Sequence, residues 1–428
     1  MTMSWEDSHK LIRIRRLLVL IFPVSILVDL ISGFCTVQLH AYIPISQFLR
    51  IVIMTDALYL LTKRVRPIFI GGIRIPIFFF ILISPFWMII GGVGANSGYN
   101  PVLEIEGFSK ILYFFVIVTF FIVYRTEIKK QHPLRIISNY GLIIAVAVII
   151  SFVTGYGNYT YGVDHGFGTK SYFKAGNDLG LTILYASVAS SLYMFFHYGW
   201  KQVFIILTIS LSAILIGTRV GLIGIAFWIT VLMCYIVFIY HPKDSRKRKR
   251  LLYYKPVIIL GYAICVIEVI KFLLSAFNSY MLLRYTESAM MSARSLLTTP
   301  AEEYITKLEW YEFAFGKGVS SLYYYIAQSL GSNSDYCMVE ADFHELLGGY
   351  GLVGFLVFIS PFAYFMIKAV KRYILQPNFT LFAVLFVTAS FLAVAYAAGH
   401  CFRNTMVAPI YGYVVSLMYD EKKRSLDK

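Results

Sequence analysis

The sequence predicts an all-α polytopic membrane protein with about 12 transmembrane helices and one large loop on the outer side. Three observations predict it. The 428 residues are 58% hydrophobic and only 14% charged, with a mean hydropathy of +0.70, more apolar surface than a soluble core of this size can hide. Apolar runs of near-spanning length recur along the whole chain. Lys and Arg collect at alternate connections between those runs, which is the positive-inside pattern.

The first span covers 17–35, after a basic start with Lys10, Arg13, Arg15 and Arg16. No small-residue cleavage pattern follows it, so it is expected to be a retained span with a cytoplasmic N-terminus. The second, 42–61, ends in "KRVRP", and the third is 75–94. A short outer loop carrying Glu104 and Glu106 leads to the fourth, 108–124. The fifth is 136–154, followed by a Gly- and Tyr-rich outer loop, and the sixth is 179–197. Residues 202–240 are too long for one span. They hold "GTRVG" near the middle, which divides them into a seventh and an eighth. The ninth is 256–275, the tenth 346–366, the eleventh 378–398 and the twelfth 405–419. The tail "EKKRSLDK" is expected inside with the N-terminus. No repeat divides the chain, so 1–428 reads as a single membrane domain. Residues 276–345 form its inserted outer loop, between spans nine and ten. That loop carries four bases (Arg284, Arg294, Lys307, Lys317) and nine acids in a chain of net charge +15.

Several chemistries find no residues to carry them. The run "DSRKRKR" at 244–250 invites a nucleic-acid reading, but flanking spans make it a positive-inside loop, and no nucleic-acid partner is expected. Neither GxxxxGK[ST] nor a GxGxxG after a strand is present. HExxH and His/Cys clusters are absent, so no metal or other cofactor is expected. No GxSxG nucleophile elbow occurs. Without a predicted cytoplasmic domain, ATP-driven transport is not expected. The five cysteines form no CxxC pair. Cys35, Cys337 and Cys401 fall on the outer side, where a disulfide is chemically allowed but isolated small apolar residues are the simpler reading.

The remaining polar residues gather on the outer side. "LIGTRVGLIGI" sets Arg219 at the turn between spans seven and eight. A snorkelling arginine is the bland alternative. An outer Arg runs against the positive-inside bias, however, and a guanidinium fork fits two phosphate oxygens. Arg284 and Arg294 lie in the large loop, Arg294 just before an expected helix start, and solvated or ion-paired roles compete there. "KAGNDLGL" places Asn177 and Asp178 at the start of span six, as caps or as sugar-hydroxyl ligands. "FGKGV" at 315–319 is a Gly-x-Gly turn. "AAGHCFRNTM" sets His400 and Arg403 at the turn between the last two spans. In "VEADFHELLGGYGLVGFLVF", 339–358, a helix reaching back to residue 340 puts Glu340 and His344 on one face. Either is a candidate base for a hydroxyl acceptor. Asp342 shares the cluster, although the helix dipole alone accounts for it and for Glu345.

Taken together, "FKAGNDLG", "GTRVGLIG", a loop with "ARS" and "FGKGVSSL", and "VEADFHELLGGYGLVGF" resemble the O-antigen polymerase (Wzy) and O-antigen ligase superfamily of bacterial membrane glycosyltransferases, over about residues 170–360. The resemblance implies a GT-C-like fold in the inner membrane, with the large loop periplasmic. It implies an undecaprenyl-pyrophosphate glycan donor, no metal or nucleotide, and a chain-length regulator as partner. Arg219 and Arg294 match the family's outer arginines, thought to hold the pyrophosphate. Ligases carry a His-Asn pair eleven residues before the glycine of the "GLVG" segment; counting back from Gly351 reaches Glu340, and His344 lies four residues later. That departure favours a polymerase and leaves Glu340, Asp342 and His344 as candidates for the ligase histidine's work. Two other readings are an O-antigen ligase and a flippase for the same lipid; the flippase would use Asp29, Arg50, Asp56 or Glu268 inside the spans.

Overall fold

A computed structural model describes residues 5–41, 43–63, 98–160, 168–173, 175–197, 200–239 and 287–419, with isolated positions between 255 and 271. In hydrocarbon the backbone must satisfy its own hydrogen bonds, so the long apolar runs become helices. α1 (Trp5–Val19) continues through a π-helical turn, Leu20–Val24, into α2 (Ser25–Gln38). Pro23 lies in that turn, where its missing N–H interrupts the α-helical ladder. α3 (Ile45–Lys63) returns beside it. Asn100 caps α4 (Pro101–Val123), its side chain accepting from the N–H groups of Val102 (3.0 Å) and Leu103 (3.4 Å). A short α5 (Arg125–Lys129) turns the chain into α6 (Pro133–Thr154). α7 (Gly176–His197), α8 (Trp200–Ile216) and α9 (Arg219–Cys234) follow, α9 running on as a π segment to Ile239.

Three helices fall within the predicted large loop: α10 (Glu287–Thr306), α11 (Trp310–Phe315) and α12 (Val319–Ser329). α13 (Asp342–Leu375), α14 (Phe379–Ala397) and α15 (Val407–Leu417) complete the bundle. Among the described residues eight helices are long and apolar enough to cross a membrane, and two shorter apolar ones, Lys201–Ile216 and Val407–Leu417, accompany them. These fall on predicted spans. The predicted third span lies outside the described residues, and the ninth does so except at isolated positions.

Two helices sit at the centre. α4 and α7 bury 72% and 78% of their apolar windows, against 22% for α3 and α9. α15 packs along α4, and α6, α8 and α9 surround α7. Phe114, Phe362, Phe391 and Tyr411 interlock where α4, α13, α14 and α15 meet, the Phe362 and Phe391 ring centroids 4.5 Å apart. Such ring contacts add to plain area burial. Polar ties cross the same centre: Trp228 Nε1 donates to Ser191 Oγ (3.1 Å) and Tyr185 OH to the Val387 carbonyl (2.8 Å).

The bundle has two polar ends. At one, Lys10 pairs with Glu127 (2.9 Å), Arg13 with Asp56 (2.7 Å), and Arg372 donates to the Met418 carbonyl. At the other, the starts of α4, α7 and α13 meet the 398–406 turn, and the start of α9 packs on that of α7.

The "FGKGV" turn does more than link two helices. Gly318 N–H donates to the Gly349 carbonyl (2.9 Å). Gly351 breaks α13 with φ +69° and ψ −178°, and a Cβ there would lie 2.4 Å from Gly316 N. The glycines of "FGKGV" and "GGYG" therefore form one seam in which backbone meets backbone. Gly351→Ala should destabilise the protein by at least ~1–3 kcal/mol from the dihedral alone, with the clash in addition. Gly155→Ala, also at positive φ but with nothing within 4 Å, should cost clearly less. Thermal unfolding midpoints in detergent check the order; equal losses would show that the seam is not tightly packed.

Candidate functional site

The second polar end is built around the carboxylates at the start of α13. The helix starts at Asp342, not at 340, so Glu340 lies outside it and is exposed. The expected Glu340–His344 helical pair is therefore not formed. His344 Nε2 instead lies 3.2 Å from Glu302 Oε1 on α10, and its Nδ1 is buried without a partner among the described residues. The proton position on that ring depends on its tautomer.

Asp342 is committed to the backbone. Its Oδ1 accepts from His400 N–H (2.7 Å); its Oδ2 accepts from Cys401 N–H (2.7 Å) and Phe402 N–H (3.4 Å). These bonds hold a turn in which Gly399 and His400 both adopt positive φ, +68° and +64°. A non-glycine residue in that region is uncommon and needs such support.

The turn aims Arg403 inward. Its Nη2 lies 2.6 Å from Glu345 Oε1, with the two side chains 8% and 6% exposed. A Cβ on Gly107 of α4 would come within 2.8 Å of that nitrogen, so the glycine makes room for the guanidinium. Tyr323 of α12 donates to Glu345 Oε2 (2.7 Å), and its ring centroid lies 5.8 Å from the guanidinium. Burial penalises the Arg403 cation, yet Glu345, with Tyr323, Tyr350 and Asp342, holds its pKa above the ordinary guanidinium value. Burial also raises the Tyr323 phenol, which keeps its proton for Glu345. Glu104 of α4 lies on the far side of this cluster. Its Oε1 accepts from both the N–H and the hydroxyl of Ser320, each at 2.6 Å, and Oε2 is buried without a partner among the described residues. Arg403, expected at a turn where solvation is usual, is thus a buried, ion-paired group.

Arg219 is joined to the same end through α7. Thr218 caps α9, its Oγ accepting from Gly221 N–H at 3.3 Å, which leaves Arg219 half-buried as the first residue of the helix. α9 meets the start of α7 so closely that a Cβ on Gly180 would lie 2.2 Å from Thr218 Oγ1. Asn177 and Asp178 lie in the first turn of α7, one and two residues beyond its start at Gly176. Asn404 Nδ2 donates to the Asp178 carbonyl (3.0 Å), linking this corner to the Asp342-held turn. Arg219, Asn177, His400, Arg403, Asp342, His344 and Glu340 are therefore brought to one end of the bundle. Arg294 lies inside α10, not ahead of it as expected, and its side chain is outside the described residues, as is the whole of Arg284.

Glu104, Glu302, Ser320 and Glu345 were not among the sequence candidates. The signal for Glu104 was a carboxylate at the head of an apolar run, which is costly unless paired. Nothing local in the sequence couples Glu345 to Arg403. Of the intramembrane charges considered for a flippase, Arg50 pairs with Asp29 (3.1 Å) and Asp56 with Arg13, while Glu268 is outside the described residues. Cys35, Cys337 and Cys401 are free thiols.

A family model described as O-antigen ligase like membrane protein matches residues 13–294. The match takes in Asn177, Arg219, Arg284 and Arg294 and stops before Glu340. No curated protein matches the chain.

Proposed function

Because the chain belongs to the family of O-antigen ligase like membrane proteins, we propose that it is a membrane glycosyltransferase that polymerises undecaprenyl-pyrophosphate-linked repeat units. The observation that carries this reading is the gathering of Arg219 with the 340–345 acids and His344 at one end of an apolar bundle. A hydroxyl of one lipid-linked unit attacks the anomeric carbon of the growing glycan. The new glycosidic C–O bond forms as the bond to the pyrophosphate oxygen breaks, and undecaprenyl pyrophosphate leaves with the electron pair. Arg219, at the mouth of α9, stabilises the developing charge, with Arg294 as a second cation by family resemblance. The hydroxyl proton passes to Glu340, which is solvent-exposed, or to His344, which Glu302 orients. Asp342, with both oxygens held by N–H groups, serves as the brace of the turn. On this reading the site faces the periplasm, with both termini cytoplasmic.

The second reading, an O-antigen ligase, takes its support from the family's own description. A deletion strain separates the two. For an O-antigen, loss of a polymerase leaves single repeats on lipid A-core, whereas loss of a ligase leaves long chains on the carrier lipid. Wild-type chain lengths on lipid A-core in the deletion strain would end both readings.

A further inference from the structure

A cavity of about 350 Å³ lies at the end of the bundle opposite the candidate site, where the α5–α6 connection meets the end of α7, the start of α14 and the end of α15. Lys129, His132 and His197 line it, and among the described residues no carboxylate does. Two contacts place the three basic groups together. Ser190 Oγ of α7 donates to Ser138 Oγ of α6 at 2.9 Å, which fixes the register of these antiparallel helices. From that bond His132 lies six residues away and His197 seven, each about 9–10 Å toward the same end at ~1.5 Å per residue. The His132 N–H donates to the Lys129 carbonyl (3.3 Å), so Lys129 is one turn away.

The groups are also held. The His197 ring packs on Tyr193 four residues earlier, with centroids 4.3 Å apart. His132 adopts φ +52° and ψ +52°, a conformation that a non-glycine residue keeps only when its surroundings impose it. The helix ends at this level carry opposite poles, the start of α6 and the end of α7, and so oppose each other. The side chains therefore decide the sign of the cavity, and that sign favours an anion.

Its depth identifies the source of the anion. Pro133 begins one candidate span and His197 ends another, so the cavity sits at the level of the lipid headgroups. Leu134 and Leu417 are buried in its lining, whereas Phe196 is 42% exposed. A basic pocket between spans with an apolar flank matches an anionic lipid headgroup. We propose that this cavity binds the phosphate of an anionic phospholipid, held by Lys129, His132 and His197. The site is separate from the glycan chemistry and does not depend on it.

The test uses the full-length protein, purified in detergent and offered phosphatidylglycerol or phosphatidylcholine at equal concentration. Native mass spectrometry then reads which lipid survives delipidation. Wild type is expected to retain phosphatidylglycerol and lose phosphatidylcholine. Lys129→Gln/His197→Gln changes two exposed side chains and leaves the left-handed His132 in place, so folding should persist. Its retention of phosphatidylglycerol should weaken about 10-fold. Arg15→Gln/Lys371→Gln removes two exposed charges outside the cavity and should retain the lipid as wild type does. Equal retention of both lipids by wild type would overturn the proposal. So would an equal loss in the two double variants, which would mean diffuse surface attraction. Displacement of the lipid by millimolar inorganic phosphate would also overturn it, in favour of a soluble anion.

Discussion

Arg219→Ala is expected to reduce chain extension roughly 10²–10³-fold, the usual cost of removing one preorganised charge-stabilising donor, with the protein still present at wild-type level. Arg219 is half-buried and opens α9, whose cap is Thr218, so the start of that helix is held by a group other than its guanidinium. Arg219→Lys should recover only part of the activity, because an ammonium lacks the fork that engages two phosphate oxygens. Glu340→Gln should lower extension by about 10²–10⁴-fold if that carboxylate is the base. Its side chain is exposed and outside α13, so stability should not change. If Glu340→Gln leaves polymer length intact while His344→Gln removes it, the proton passes through the His344–Glu302 pair. The readout is the length distribution of surface glycan from complemented deletion strains, with protein level measured in the membranes.

The largest structural effect is expected at Arg403. Arg403→Ala leaves the Glu345 carboxylate, 6% exposed, without its cation. Breaking one side of a buried pair costs about 3–5 kcal/mol. The double variant Arg403→Met/Glu345→Gln removes both charges and still gives Tyr323 an acceptor, so it should recover much of that loss. Unfolding midpoints of the purified single and double variants give the coupling directly. Additive losses would mean that the 2.6 Å contact carries no interaction of its own. Glu104 is part of the same cluster, so Arg403→Ala should also loosen the Ser320 contacts that tie α12 to α4.

The span pattern was legible because it is local: twenty apolar residues signal a helix in lipid regardless of their neighbours. The convergence of Arg219, Asn177, His400 and Arg403 was legible for the same reason, since alternating spans put every second turn at one end. The pairing within that end was not. Asp342 is one of four ionisable residues among six, and its role as a brace for His400 and Cys401 depends on a contact some 58 positions away. The choice between Glu340 and Glu302 as partner of His344 turned on where α13 starts. The helix begins at Asp342 and leaves Glu340 behind. Helix boundaries are the least local part of a sequence reading, because caps and tertiary contacts set them. The glycine seam was half legible: "FGKGV" and "GGYG" each announce unusual backbone, but only folding shows that each makes room for the other.

The most direct test of the central claim is a reconstituted reaction. The purified protein in liposomes is given an undecaprenyl-pyrophosphate repeat unit as its only glycan, and the products are separated by size. The account predicts a ladder of lipid-linked products, spaced by one repeat, that disappears with Arg219→Ala. A protein that leaves the single unit unextended, yet transfers preformed chains to lipid A-core when that acceptor is added, would contradict it.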